Sequence, residues 1–285
     1  MLTTLLTISA LIAFAGNSVI CRAALESGAI DPASFSSIRI ISGIVVLYLA
    51  GLFNRSDRGS AQCGSWAAST ALFLYVVLFA YSYVVLGAGL GALILFGCVQ
   101  VTMLASAIYG GERYTAPQWL GLTGTIAGLW YLLWPATTSG DHFAAGLLMA
   151  GAGVAWGIYS LLGRGTRNPL RATRANFVRT LPLAVLLPFV SPLSTHATPT
   201  GIALAIVGGA VTTGLGYAIW YRALRGLTAS EAGLFQLTVP VLAILGGAVM
   251  LGEPITAKVL QASAMILSGI AAVILFSERK LRAAS

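Results

Sequence analysis

The chain has 285 residues, of which 58% are hydrophobic and 8% are charged, and its mean hydropathy is +0.89. Because soluble domains carry about a quarter charged residues, this composition excludes a water-soluble globular protein and predicts an all-α integral membrane protein. The formal net charge of +8 comes mostly from Arg in short connections between apolar runs, without a basic stripe. We therefore expect the lipid bilayer, and no nucleic acid, as a partner.

The first apolar run, from Leu2 to Cys21, has the small-x-small pattern of a signal-peptide cleavage site at Ala13-Phe14-Ala15. It lacks a basic segment before it, however, and it is too long for the apolar region of a signal peptide. The run is therefore predicted to be a first transmembrane helix.

Further apolar runs follow along the whole chain. A helix rises 1.5 Å per residue, so about 20 apolar residues cross the hydrocarbon core of a bilayer. The uncharged stretch from Gly64 to Gly111 is long enough for two crossings, with a tight turn at Gly87-Ala88-Gly89. Ten transmembrane helices are predicted, near residues 2–21, 34–53, 67–86, 89–110, 116–134, 143–163, 175–191, 199–221, 231–251 and 257–277.

The basic residues predict how the chain is oriented. One side of the membrane receives Arg22 and Lys258, with Arg39 near its edge. All the other basic residues in connections and in the C-terminal tail fall on the opposite side: Arg55, Arg58, Arg113, Arg164, Arg167, Arg171, Arg174, Arg222, Arg225, Arg279, Lys280 and Arg282. Since cytoplasmic loops are rich in Lys and Arg, we expect an inner (plasma) membrane protein with both termini in the cytoplasm.

An internal repeat divides the chain into residues 1–139 and 140–285. An offset of 141 residues places Gly16 on Gly157, Gly128 on Gly269, and the segment Gly111-Glu112 with Thr115-Ala116 on Gly252-Glu253 with Thr256-Ala257. Each half contains five predicted helices, an odd number, so the second half is inserted upside down relative to the first. Two inverted five-helix repeats favour a carrier with alternating access and a substrate site where the halves meet.

Polar and aromatic side chains at mid-depth are the candidate substrate-binding residues, because such groups are tolerated in hydrocarbon when they face an interior. Pro240 also removes the helical hydrogen bond to the Gln236 carbonyl, which frees an acceptor. The predicted substrate-binding residues are Asn17, Tyr75, Phe79, Tyr81, Phe96, Gln100, Trp156, Tyr159, Thr213, Tyr217, Gln236 and Pro240.

Other kinds of chemistry are not indicated. The sequence has no metal-ligand cluster, phosphate-binding glycine loop or nucleophile–base pair, so we expect no catalytic residues, no metal and no cofactor. No carboxylate lies near the centre of a predicted helix, and Glu112 and Glu253 are expected to stabilise helix junctions. No predicted helix offers a central Lys or Arg, which argues against phosphate-bearing solutes.

The segments Tyr109–Thr115 and Met250–Thr256, each at the end of a fourth helix, resemble the duplicated EamA domain of the drug/metabolite transporter (DMT) superfamily. The stretch 234–241 is similar to that family as well. Within it, the settings of Tyr81, Gln100 and Trp156 look closest to aromatic amino-acid exporters of the YddG type. The resemblance implies export of aromatic and other neutral amino acids.

Two alternatives remain open at the level of sequence. The first is a carrier of another solute class, such as purines, cationic drugs or nucleotide-sugars, and the second is a membrane protein that does not transport. Pairs such as Gly124xxxGly128 and Gly153xxxGly157 permit close helix approach. We expect them to pack helices within a monomer rather than to form a dimer.

Overall fold

The computed structural model describes residues 2–52, 64–111, 114–134, 140–163, 166, 168–191, 193–223, 226–227, 232 and 235–284, with the backbone alone for 277–284. Arg55, Arg58, Glu112, Arg113, Arg164, Arg167 and Arg225 lie outside the described residues. Within that part of the chain the regular structure is helical, and the β-type pairing is a single isolated bridge between Ile30 and Ala197.

Long helices joined by short connections account for most of the described chain. The first five are α1 (Leu2–Glu26), α2 (Pro32–Leu52), α3 (Trp66–Tyr83), α4 (Ala88–Tyr109) and α5 (Ala116–Leu133). They are followed by α6 (Gly140–Leu162), α7 (Pro169–Val190), α8 (Pro199–Val207), a π-helical segment (Gly208–Leu215) continuous with α9 (Gly216–Ala223), α10 (Thr238–Leu251) and α11 (Ala257–Ala284).

Seven of the described helical stretches are long and apolar enough to cross a membrane: α1, α2, α3, α4, α6, the stretch Pro199–Trp220, and α11. The multi-span membrane fold predicted from composition is thereby confirmed. Helices α5, α7 and α10 fall outside that set. Helix α7 carries three Arg and two internal Pro, and α10 has 14 residues. The count of ten crossings accordingly stays a prediction.

Small residues allow the helices of one chain to approach closely. A Cβ at Gly153 would lie 2.6 Å from the Leu95 carbonyl oxygen, and one at Gly157 would lie 2.8 Å from Thr102 Cβ. These two contacts hold α6 against α4. The predicted glycine pair Gly153 and Gly157 thus packs helices of one chain against each other.

A polar contact joins two connections at one end of the bundle. The Asp31 carboxylate accepts hydrogen bonds from the backbone N–H groups of Ala33 and Ser34, which begin α2, and from that of His196. Burial alone would raise the pKa of Asp31, but the hydrogen bonds from Ser34, His196 and Ala33 together lower it. The carboxylate therefore fixes the start of α2 to the connection that precedes α8.

Candidate substrate-binding site

Aromatic side chains from five helices form one connected group in the middle of the molecule. Neighbouring ring centroids lie between 4.6 and 6.4 Å apart. This aromatic cluster consists of Phe14 of α1, Tyr75, Phe79 and Tyr83 of α3, Trp156 and Tyr159 of α6, Phe177 of α7, and Tyr217 and Trp220 of α9.

Trp156 connects the two sides of the aromatic cluster. Its ring lies 4.8 Å from Tyr75, 5.3 Å from Tyr217 and 5.3 Å from Tyr159, centroid to centroid. Tyr75 and Tyr217 are buried, whereas Trp156 is half-buried. A chain of tilted ring contacts therefore joins five predicted site residues, Tyr75, Phe79, Trp156, Tyr159 and Tyr217, at centroid distances within the range of aromatic pairs.

The largest fully buried side chain in the described chain, Arg39, lies against this cluster. Its Nε donates to Thr213 Oγ1 at 3.2 Å and its Nη2 donates to the Tyr75 hydroxyl at 3.3 Å. The guanidinium carbon lies 5.0 Å from the centroid of the Phe79 ring and 5.6 Å from that of Tyr75. These distances are within the range of cation–π attraction.

The expectation that no helix supplies a central Arg is wrong for Arg39. Helix α2 begins at Pro32, earlier than the predicted start at residue 34, so Arg39 lies about 10 Å along the helix axis. Its partner Tyr75 stands in the middle of α3. The absence of a central Arg therefore no longer counts against phosphate-bearing solutes.

Glycines in the π-helical segment allow Arg39 to reach this position. A Cβ at Gly209 would collide with Ser42 Oγ and with the Arg39 carbonyl oxygen, so the backbones of α2 and the π-helical segment touch there. π-Helical turns are rare and frequently mark functional sites. The wider turn also presents Thr212 and Thr213 side by side.

Thr212 connects Asn17 to the same region. Its hydroxyl donates to Asn17 Oδ1 at 3.1 Å and to the Gly208 carbonyl at 2.7 Å, and both side chains are buried. Asn17 stands one turn beyond Phe14 on α1. The predicted residue Asn17 and the predicted residue Thr213 therefore border the aromatic cluster from different helices.

The remaining predicted residues lie apart from the cluster. Tyr81 bonds to Ser191 Oγ at 2.8 Å, near the ends of α3 and α7. Phe96 and Gln100 are buried on α4, which packs against α6 and α10. Gln236 is helical, Leu237 forms a turn and α10 starts at Thr238, so the helix is interrupted after Gln236 and Pro240 falls in the first turn of α10.

Glu253 forms a second polar site, at the end of the bundle where α1 ends. Its carboxylate accepts from the backbone N–H of Ala88 at 2.9 Å and lies 3.4 Å from Arg22 Nε. Arg22 Nη1 in turn donates to the carbonyls of Tyr83 and Val84. Glu253 thus caps the N-terminus of α4, and not the helix that follows it in the chain, where the negative charge is stabilised.

The described residues contain no group of three or more His, Cys, Asp or Glu placed to hold a metal ion. The site therefore consists of rings, hydroxyls, amides and one guanidinium. Such a set can enclose an organic solute, stack on a planar group and bind an anion.

Comparisons with known proteins relate this fold to membrane transporters. A family model described as "EamA-like transporter family" matches residues 144–275. An uncharacterized protein of Pseudomonas aeruginosa is 44% identical over 95% of this chain and 94% of its own length. The threonine/homoserine exporter RhtA of Escherichia coli K12 is 29% identical over 54% of this chain and 52% of its own.

A "Probable amino-acid metabolite efflux pump" of Salmonella typhimurium is 27% identical over 64% of this chain and 66% of its own. One solved crystal structure covers 97% of this chain and 98% of its own, with a TM-score of 0.70 and 20% sequence identity. At that identity the structural likeness concerns the fold alone.

Proposed function

The chain belongs to the EamA-like transporter family, and we propose that it exports neutral and aromatic amino acids through the aromatic cluster. Members of this family are transporters, not enzymes, and they carry small-molecule solutes. The observation that carries the proposal is the contact of Trp156 with rings from α3 and α9, together with the contact of Tyr75 with Arg39 and of Arg39 with Thr213.

Helix pairing supports two inverted repeats, residues 1–139 and 140–285, that move relative to each other in alternating access. If each helix is replaced by its equivalent in the other half, the packed pairs α2–α7, α4–α10 and α5–α11 each become the same pair again. The packed pair α3–α6 becomes the pairing of α1 with α8–α9. All these pairs are present in the described chain. Individual contacts follow the same rule. A Cβ at Gly128 would meet Ile266, and one at Gly269 would meet Thr125, which are the same contact under the offset of 141.

The proposed orientation has both termini in the cytoplasm of a bacterial cell, with the chain in the inner membrane. Arg171 and Arg174, near the start of α7, then face the cytoplasm, where basic residues concentrate. Arg22, Asp31 and Glu253 then lie on the outer side. We propose a monomer, since the glycine pair of α6 is already used within the chain.

Two relatives carry names of amino-acid exporters, and the cluster offers stacking surfaces for a planar or apolar side chain. The YddG-like preference for aromatic substrates rests on these rings and not on a named relative. Cationic drugs, the nearest alternative, are disfavoured because the guanidinium of Arg39 would repel them at a site of low dielectric constant.

Flux into proteoliposomes tests the proposal. Purified protein should take up labelled phenylalanine, and then threonine and methionine, faster than empty liposomes do, and an excess of unlabelled solute inside should accelerate uptake by exchange. Uptake no faster than into empty liposomes for every amino acid would contradict the proposed substrates.

A further inference from the structure

We propose that Arg39 binds the carboxylate of the transported solute, so that the substrates are monocarboxylates with an aromatic or apolar body. This inference rests on the proposed function, because it assigns a role within the same site. It also goes beyond amino-acid export, since it requires the carboxylate and not the amino group.

The positive charge of Arg39 is not balanced by a carboxylate among the described residues. The described residues place no carboxylate within ion-pair distance of its guanidinium, and the two ion pairs found both belong to Arg22. Nη1 of Arg39 is buried without a hydrogen-bond partner. A buried charge is costly unless it is paired. An ionisable side chain inside a membrane segment therefore indicates a functional partner, and here that partner is an anion.

The guanidinium of Arg39 is held in place by its neighbours and keeps free N–H donors. Thr213 and Tyr75 occupy Nε and Nη2, and the Phe79 ring lies against one face at 5.0 Å, so the group is held in a defined position. Nη1 remains for a further acceptor. Each Nη atom carries two N–H groups, so Nη1 and the second N–H of Nη2 together form a planar fork that matches the two oxygens of a carboxylate better than it matches any neutral acceptor.

The number of charges favours a monocarboxylate. Arg39 lies within cation–π range of two rings of the aromatic cluster, whereas Arg22 is already paired with Glu26 and Glu253. One guanidinium balances the single charge of a carboxylate. A phosphate monoester carries up to two charges at neutral pH. One guanidinium would leave part of that charge unbalanced in a medium of low dielectric constant.

The aromatic rings next to Arg39 indicate what the rest of the solute should be. Tyr75 contacts both Arg39 and Trp156, so an anion at Arg39 has its body directed toward the rings of Trp156 and Tyr217. Those rings supply stacking surface. The acidic residues whose side chains are described, Glu26, Asp31, Asp141 and Glu253, all lie at helix ends or in connections. A substrate without an amino group should therefore bind as well as an amino acid.

Four probes with the same phenyl body test the inference on the purified full-length protein: L-phenylalanine, 3-phenylpropionate, phenethylamine and phenyl phosphate. Isothermal titration should give similar Kd values for the two carboxylates. Phenethylamine should bind about tenfold more weakly or worse, the change expected from one hydrogen bond between charged groups. Phenyl phosphate should also bind more weakly than 3-phenylpropionate.

Substitutions at Arg39 give a second test. R39Q should lose at least about tenfold in affinity for 3-phenylpropionate. R39K, which keeps the charge but loses the planar fork, should fall between R39Q and the native protein. R174Q is the matched control, because Arg174 lies over the Tyr48 ring away from the cluster, and it should bind as the native protein does.

The inference is overturned if phenethylamine or phenyl phosphate binds the native protein as tightly as 3-phenylpropionate, if neither carboxylate binds, or if R39Q keeps native affinity. The comparison of probes needs only the native protein, so it remains decisive even if R39Q does not fold. If R39Q transported phenethylamine rapidly and with the kinetics of the native protein, this inference would be wrong but a transport function would remain. Absence of flux for every solute would instead remove the proposed function.

Discussion

At the scale of single residues, the aromatic side chains of the candidate site were predictable from the sequence and its buried charge was not. Tyr75, Phe79, Trp156 and Tyr217 stand out in sequence because large polarisable side chains at mid-depth face an interior more often than lipid. Arg39 was assigned to a membrane edge, since a predicted helix start two residues late placed it in the first turns. Its burial depends on packing against the π-helical segment, which no local pattern specifies.

Trp156 is expected to contribute to solute binding through its ring contacts with Tyr75 and Tyr217. Trp156→Ala should raise the KM for phenylalanine uptake by roughly three- to tenfold, the value of one or two aromatic contacts. Trp130→Ala is the control, because that ring is 61% exposed and contacts Trp134 outside the cluster. Equal kinetics in the two variants would exclude Trp156 from the site.

Asp31 has a lowered pKa, so its contribution to stability has a defined direction with pH. A carboxylate with a lowered pKa stabilises the fold fully above its ordinary value of 3.8 and loses that contribution as the pH falls through the folded value. Asp31→Asn should therefore be less stable than the native protein at neutral pH, with the difference shrinking below pH 3.8. The melting temperatures of the two proteins in detergent, compared between neutral pH and pH below 3.8, measure this difference.

Asp141→Asn is the control for that measurement, since Asp141 is exposed in the first turn of α6. It should melt like the native protein at neutral pH. A difference between Asp31→Asn and the native protein that grows as the pH is lowered would contradict the assigned role of Asp31.

At the scale of elements, helix positions followed from apolar length, but irregular helix geometry did not. The predicted span near 199–221 coincides with the described stretch Pro199–Ala223, yet nothing in its composition announced the π-helical turns at its centre. Gly208 and Gly209 are not among the glycine pairs singled out from the sequence. Their use becomes visible only when α2 lies against them.

Gly209→Ala tests that contact. A methyl group there would collide with Ser42 Oγ and the Arg39 carbonyl oxygen, so α2 must move and Arg39 with it. We expect a loss of stability of about 1–3 kcal/mol from overpacking, together with reduced uptake. Gly124→Ala makes the same change in α5, where nothing lies within 4 Å, and should leave stability unchanged or raise it. Native behaviour of Gly209→Ala would disprove the close approach.

Substitution of Glu253 tests whether its carboxylate stabilises the junction between α4, α1 and α10. Glu253→Ala removes the acceptor of the Ala88 N–H and leaves Arg22 without that partner, so we expect a loss of about 1–3 kcal/mol. Glu26→Ala removes the other, half-exposed partner of Arg22 and should cost no more than about 1 kcal/mol. Equal melting temperatures of the two variants would show that the Glu253 cap does not stabilise the fold.

At the scale of the whole molecule, the proposed repeat accounts for the pairing of the helices. The offset of 141 residues predicted which helices should be equivalent, and the contacts of Gly128 and Gly269 obey it. The symmetry does not extend to the functional groups. Under the offset Arg39 aligns with Thr180 and the π-helical segment aligns with part of the regular helix α3, so the offset alone could not locate either of them.

Transport through this site requires that the aromatic cluster opens alternately to the two sides of the membrane. Thr213→Cys, in a background lacking Cys21, Cys63 and Cys98, places a thiol beside Arg39 with little change in size. A membrane-impermeant thiol reagent should modify this residue both from outside in intact cells and from inside in inverted vesicles, and the transported solute should slow both reactions. A thiol unreachable from either side, or reached from one side alone whatever solute is present, would contradict transport through this site.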